Sequence, residues 1–465
     1  MRKKKPAFTT SPIGRTMFIT ALTMLPCTLA ISGYNIVDTW FVSQMQDWRD
    51  LAAMGYAFPV VMLFSFLFSG LATGIMVTVS QALGGNRYRK MSHLISAGLF
   101  YAIAVSVVCG LFGLLTIDLT FQLLGAGDDV LPKIRQYMII WYIGGTPSAA
   151  LAMAGNNILM GTGSTRMTSA MMLSGLVLNS ILDPIFIFGK CGVPAMGIAG
   201  ASLATVIAQS LSVITILSFL HFRYRYVTRS VLQWRLMKRT GLLILKFAAP
   251  AILGMLLIPL GNTIVTAILS QFGDEAVAAA ATAGRLEIVA FVLPMSIGMG
   301  LMPMIGQNYG AHLYTRINQC RRIAMRAAFI LLGVTGTLFA VYAEPLARIF
   351  TTDPVVLPLM TQYLRIIAPF FCLVEMHRFS TFFFTACGRP IAAALLNALR
   401  IFGFLVPFSA VALLAHWLTG VFWARATADL CAGLIAIYCA RRLTRSFPAD
   451  GLPDPVTSPG DTSDV

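Results

Sequence analysis

The chain has 465 residues, of which 57% are hydrophobic and only 11% charged, and it carries a formal net charge of +16. Soluble domains carry roughly a quarter charged residues, so this composition excludes a soluble enzyme or binding module and predicts an all-α polytopic membrane protein. The excess positive charge does not mark a nucleic-acid surface. Lys and Arg collect in alternate junctions between apolar segments, which is the pattern of membrane orientation.

The basic start MRKKKPAFTTSPIGR runs into an apolar stretch that reaches about Gln44, too long for a signal peptide and read as an uncleaved first span. A span needs about 20 apolar residues, and twelve are drawn at 16–44, 52–82, 92–117, 132–160, 167–189, 198–222, 241–271, 276–309, 322–343, 358–386, 391–415 and 418–440. The even-numbered junctions hold the basic residues: Arg87, Arg89 and Lys90, Arg166, the run from Arg223 to Arg239, then Arg316, Arg321 and Arg322, and Arg389. Arg441, Arg442 and Arg445 follow the last span, while the opposite junctions hold Asp47, Asp50, Asp118, Asp128, Asp129, Asp274, Glu275 and Asp353. Both termini are therefore expected in the cytoplasm, with the chain integral to the plasma (inner) membrane.

The two halves repeat. SQALGGNRYRK (80–90) matches GQNYGAHLYTR (306–316), with Gln81 and Gln307 setting an offset of 226 residues. MGTGSTRMTSAMM (160–172) matches TACGRPIAAALLN (385–397), with Gly163 and Gly388 offset by 225. Two homologous six-helix bundles follow, and an even number of spans in each predicts a pseudo-two-fold axis along the membrane normal. The expected division is an N-terminal bundle at 1–222, a basic cytoplasmic linker at 223–240, a C-terminal bundle at 241–441 and a disordered cytoplasmic tail at 442–465.

Polar residues inside apolar helices are expensive and tend to be functional. In LNSILDPIFIFG, Asn179 and Asp183 stand at i and i+4 and share one helix face. Pro184 leaves the Ser180 carbonyl without its amide partner. A second intramembrane carboxylate, Asp38, sits in YNIVDTWFVSQM of the first span, and the two aspartates are expected to share one cation site. Two carboxylates in low dielectric need a proton or another cation between them; the oxygens of Asn179 and Thr205 suit sodium and serve a protonated carboxyl equally well. Pro26, twelve residues before Asp38, is a candidate hinge.

In the second half, Glu375, His377, Arg378 and Arg400 form a candidate secondary polar cluster; Arg400 is expected either to pair across helices, with Glu375 one candidate, or to face a water-filled cleft. Arg425 and Asp429 are expected to pair locally at i, i+4, and Glu287 to lie at the interface. Eight scattered cysteines form neither a disulfide framework nor a zinc site. There is no nucleotide-binding motif and no nucleophile–base constellation, so neither an ATP-driven pump nor an enzyme is expected, and no cofactor beyond a coupling ion.

The joined set of Asp38 in its segment, SQALGG, GQNYGA, MGTGST, LNSILDPIFIFG, the sequence at 197–205 and FGDEAVAA (272–279) resembles the MATE family of multidrug and toxic compound extrusion transporters over about residues 16–440. The resemblance implies two bundles around a cleft and export of organic, often cationic and amphipathic molecules against inward proton or sodium flow. In archaeal and DinF-like members, the coupling site matches Asp38, Asn179, Asp183 and Thr205 here. NorM-like members add acids in the C-terminal bundle, and the seventh segment here has none, which places the chain nearer the DinF-like type. The expected partners are small organic cations and membrane lipid, the expected state a monomer. The alternative is a flippase for lipid-linked oligosaccharides of related fold.

Overall fold

The computed structural model describes residues 7–45, 47–226, 233–452 and 454. Among them every regular element is helical, and 12 helices are long and apolar enough to cross a membrane. In the first half these are α1 (Ile13–Ser43), α2 (Trp48–Gly84), α3 (Tyr88–Leu115), α4 (Leu131–Gly161), α5 (Thr165–Phe188) and α6 (Ile198–Arg223). The second half has α7 (Trp234–Ser270), α8 (Asp274–Gly310), α9 (Tyr314–Val341), α10 (Val356–Ala386), α11 (Pro390–Leu414) and α12 (Leu418–Arg445). Helices satisfy their own backbone hydrogen bonds, which lipid cannot do for them.

Local chemistry sets the ends. The Asp47 carboxylate accepts the Arg49 amide at 3.0 Å and caps α2. Gly189, with φ of 74°, terminates α5 in the left-handed conformation. Asp274 and Glu275 occupy the first turn of α8, where the helix dipole favours negative charge. Two helices begin well before the start that hydropathy predicts. α7 starts at Trp234 instead of 241 and α9 at Tyr314 instead of 322, because their first turns are basic yet still helical.

The chain forms two compact units, one of residues 1–7 and 22–252, the other of 8–21 and 253–465. The expected division at 222–241 therefore shifts at both ends. The first turns of the chain are held by the second unit: Asn308 Nδ2 donates to the Phe8 carbonyl at 3.1 Å, and Arg316 donates to the Ser11 carbonyl at 2.7 Å. The first part of α7 belongs to the first unit, where Gly74 lets α2 approach the backbone at Ile244 and Ala248. Trp234–Thr240, expected in the linker, are already helical, and 227–232 lie outside the described residues.

The first part of the expected tail, residues 442–452, is ordered. Residues 442–445 complete α12, and the segment after it is pinned to the second unit. The Gly451 amide donates to the His312 carbonyl at 2.9 Å, Tyr314 Oη to the Leu452 carbonyl at 2.9 Å, and Tyr309 Oη to Asp454 at 3.0 Å. Arg389 pairs with Asp454 at 3.5 Å. Low hydrophobicity predicted disorder, but Phe447, stacked on Tyr314 at 4.9 Å, anchors the segment. Residues 453 and 455–465 lie outside the described residues.

The internal repeat extends to the backbone. Asn86 and His312, 226 residues apart, both take positive φ, at 58° and 56°. Gly110 and Gly336 have the same offset, and each abuts a carbonyl: a Cβ at Gly110 would lie 2.5 Å from the Tyr142 oxygen, and one at Gly336 2.2 Å from the Ala368 oxygen. Both crossings fall where the facing helix departs from α-geometry, at the π turn Trp141–Gly145 and the 3-10 turn Ala368–Phe370.

Candidate functional site

Three helices of the first unit bring the four predicted residues together. α1 supplies Asp38, α5 supplies Asn179 and Asp183, and α6 supplies Thr205; all four are buried. Their surroundings are apolar, with Val42, Ile187, Ile198 and Trp141 in the adjoining core. Asn179 Nδ2 donates to Asp183 Oδ1 at 3.2 Å and to Thr205 Oγ1 at 3.3 Å. Thr205 Oγ1 in turn reaches Asp38 Oδ2 at 3.4 Å and its own helix at the Ala201 carbonyl, 3.1 Å away. One hydroxyl proton serves those two acceptors.

The network is rich in acceptors and poor in donors. Asp38 Oδ1, Asn179 Oδ1 and Asp183 Oδ2 are buried with no hydrogen-bond partner. Asp38 and Asp183 are close enough to interact directly. Two residues escaped the sequence analysis: Tyr137 of α4, which interacts electrostatically with both carboxyl groups, and Ser202, buried one turn before Thr205 with its hydroxyl unpartnered. The i, i+3 spacing of Ser202 and Thr205 was a readable signal; nothing local points to Tyr137.

Burial of these aspartates differs in kind from that of other carboxylates. Among the described residues, the other buried acids are Asp50, Glu287, Glu375, Asp429 and Asp454. Each has a cationic partner: Lys133 at 3.0 Å for Asp50, Arg425 at 2.6 Å for Glu287, Arg378 for Glu375, Arg400 at 2.7 Å for Asp429 and Arg389 for Asp454. Asp38 and Asp183 have none. A buried, unpaired charge is costly, and two carboxylates about 4 Å apart repel by about 4 kcal/mol even at an effective dielectric of 20. A proton or small cation among the unpartnered oxygens of Asp38, Asn179 and Asp183 would remove both problems.

The candidate cluster of the second unit divides. Glu375 pairs with Arg378 one turn away, whereas His377 faces elsewhere, with Nε2 3.1 Å from Asn397 Oδ1 and Nδ1 3.4 Å from the Ala432 carbonyl. Residues two apart on a helix point in nearly opposite directions, so Glu375 and His377 never share a face. Arg400 does pair across helices, but with Asp429 at 2.7 Å in place of Glu375. Arg425 meets Asp429 at 4.0 Å, as its i, i+4 spacing leads one to expect, and also takes Glu287 at 2.6 Å, a closer partner from another helix. Glu287 is buried rather than interfacial and also accepts from Tyr363 Oη at 2.8 Å. Three acids and three arginines balance here.

Comparison with known proteins agrees with this layout. A family model described as MatE matches residues 27–185 and 250–411. A relative from Shewanella oneidensis described as an FAD transporter is 30% identical over 451 residues, covering 96% of this chain and 98% of its own length. The probable multidrug resistance protein YoeA of Bacillus subtilis is 23% identical over 445 residues, 94% of each chain. Among solved structures, the Vibrio cholerae MATE transporter VcmN in its bent form superposes with a TM-score of 0.87 at 26% identity, covering 93% of this chain and 97% of that one.

Proposed function

The chain belongs to the MATE family of transporters, and from that membership we propose that it is a secondary antiporter exporting organic, cationic amphipathic compounds against inward flow of protons or sodium through the Asp38–Asn179–Asp183–Thr205 site. The observation that carries the reading is the charge imbalance: these are the buried acids without a basic partner among the described residues. Proton arrival lets one carboxyl donate to the other; sodium instead takes the oxygens of Asp38, Asp183, Asn179 and Thr205 as hard ligands. Either neutralises the pair. Release restores the repulsion, so the site has two electrostatic states that bias α1. Pro26 and Gly33 of α1, which stand between its start and Asp38, are the proposed points of bending. No enzymatic step is part of this reading.

The test is export of a fluorescent cationic dye from reconstituted vesicles under separately imposed proton and sodium gradients. One gradient should drive export in the natural chain, and Asp38→Asn should abolish it. Full gradient-driven export by Asp38→Asn would overturn the site. The relative described as an FAD transporter favours a second cargo, an anionic flavin nucleotide. FAD movement under the same gradients, with the dye stationary, would select it.

A further inference from the structure

A groove of about 590 Å³ opens in the second unit between α9 and α12, both packed on α10. Its walls carry five guanidinium groups, Arg321, Arg322 and Arg326 from α9 and Arg441 and Arg445 from α12, and no carboxylate among the described residues lines it. The spacing explains the convergence. Arg322 and Arg326, like Arg441 and Arg445, stand at i and i+4, so each pair projects from one helix face. These positions lie toward the basic ends of both helices. Deeper along the same groove the lining becomes apolar, with Met325, Phe329, Ile330, Met376 and Ile437. Phe329 and Ile330 are 59% and 62% exposed, as expected of a surface facing acyl chains.

Arg321 gives the groove its chemical demand. It is 6% exposed, yet among the described residues it donates to Asn318 Oδ1 alone, at 3.0 Å, and its Nε is buried without a partner. Arg322 and Arg441 are near enough to act on it electrostatically. Every intramembrane arginine of the Glu287–Asp429 network has its carboxylate, whereas among the described residues these five have none. A buried guanidinium beside like charges calls for an anion, and guanidinium forks match phosphate oxygens. A cationic mouth above an apolar trough fits one partner class: an acidic phospholipid of the leaflet at the basic end of the helices.

We propose that the groove between α9 and α12 binds an acidic membrane phospholipid, its phosphate held by Arg321, Arg322, Arg326, Arg441 and Arg445 and an acyl chain lying along Phe329 and Ile330. The site is remote in sequence from the coupling residues and does not rest on the transport reading.

The experiment is native mass spectrometry of the full chain in neutral detergent micelles doped with phosphatidylglycerol or phosphatidylcholine. Phosphatidylglycerol should be retained selectively, and Arg321→Gln with Arg441→Gln should reduce that retention by roughly fivefold per arginine. The exposed pair Arg322→Gln with Arg326→Gln should do the same and guards against misfolding of the buried variant. Arg235→Gln with Arg239→Gln removes equal charge from the first turns of α7 and should change nothing. Equal retention of the two lipids, or an equal loss in the α7 variant, overturns the proposal. Inorganic phosphate, compared with chloride at matched ionic strength, should leave the lipid in place; displacement by phosphate would mark a small-anion site instead.

Discussion

At the scale of single residues, the buried carboxylates sort by what neutralises them. Glu287 is held by Arg425 at 2.6 Å and by Tyr363 at 2.8 Å. Glu287→Gln strands the guanidinium, and breaking such a pair costs about 3 kcal/mol. The variant should therefore melt well below the natural chain in detergent; an unchanged melting temperature would show the pair to be idle. Asp38→Asn should behave oppositely, since it removes a like-charge contact. Its melting temperature should hold or rise while gradient-driven export is lost, separating coupling from folding. Outside the membrane, Asp353 accepts the Val355 and Val356 amides at 2.9 Å each, and these hold its carboxyl below the ordinary aspartate value. A depressed folded pKa means that the contribution is complete above the unfolded value, about 4, and is lost as pH falls through the folded one. Hydrogen exchange at Val355 and Val356 should show extra opening only at such low pH, and Asp353→Asn should erase that dependence.

Elements pack through small residues at defined crossings. At Gly336 of α9 a Cβ would sit 2.2 Å from the Ala368 carbonyl, whereas at Gly333 nothing lies within 4 Å. Gly336→Ala should destabilise by about 1–3 kcal/mol through overpacking, while Gly333→Ala should be neutral or gain up to about 1 kcal/mol of helix propensity. Equal melting of the two variants would contradict the close crossing. The segment after α12 is an element too, despite its composition. The Asp450 carboxylate accepts the Thr315 amide at 2.9 Å, and Asp454 meets Tyr309 and Arg389. Ending the chain at Ser446 should lower the melting temperature and raise exchange at 312–315; no change at those amides would remove the segment from the fold.

For the molecule as a whole, the alternation of basic and acidic junctions predicts one orientation of the spans, with the basic junctions in the cytoplasm. Cys191 is exposed in the junction between α5 and α6, on the side poor in Lys and Arg. A membrane-impermeant maleimide should label it in intact cells, while Arg235→Cys should label only in inverted vesicles. The reverse pattern would invert the topology. The two units also use charge differently. The first keeps an acidic pair without a counter-charge, and the second neutralises its buried acids with Arg378, Arg400 and Arg425. The coupling chemistry proposed above follows from that asymmetry between otherwise repeated halves.

Span number, the half-chain repeat and the Asn179–Asp183 face are local or periodic properties, so the sequence by itself determined them. Hydropathy counts apolar residues over one helix length, and an i, i+4 pair needs only helical geometry. Asp38 and Thr205 joined that face through matched motifs, because residues 167 apart in the chain have no local signal of contact. The tertiary structure alone decided the arginine partners. A long, flexible guanidinium reaches carboxylates on several neighbouring helices, and which ones it meets depends on helix adjacency; thus Arg425 adds Glu287 to its local partner Asp429, and Arg400 also takes Asp429. It also decided where the units divide, since a continuous helix such as α1 or α7 can pack one end in each, and hydropathy is blind to that. The ordering of the last segment belongs to the same class: a few aromatic and carboxylate contacts, supplied by distant helices, outweigh a composition that predicts disorder.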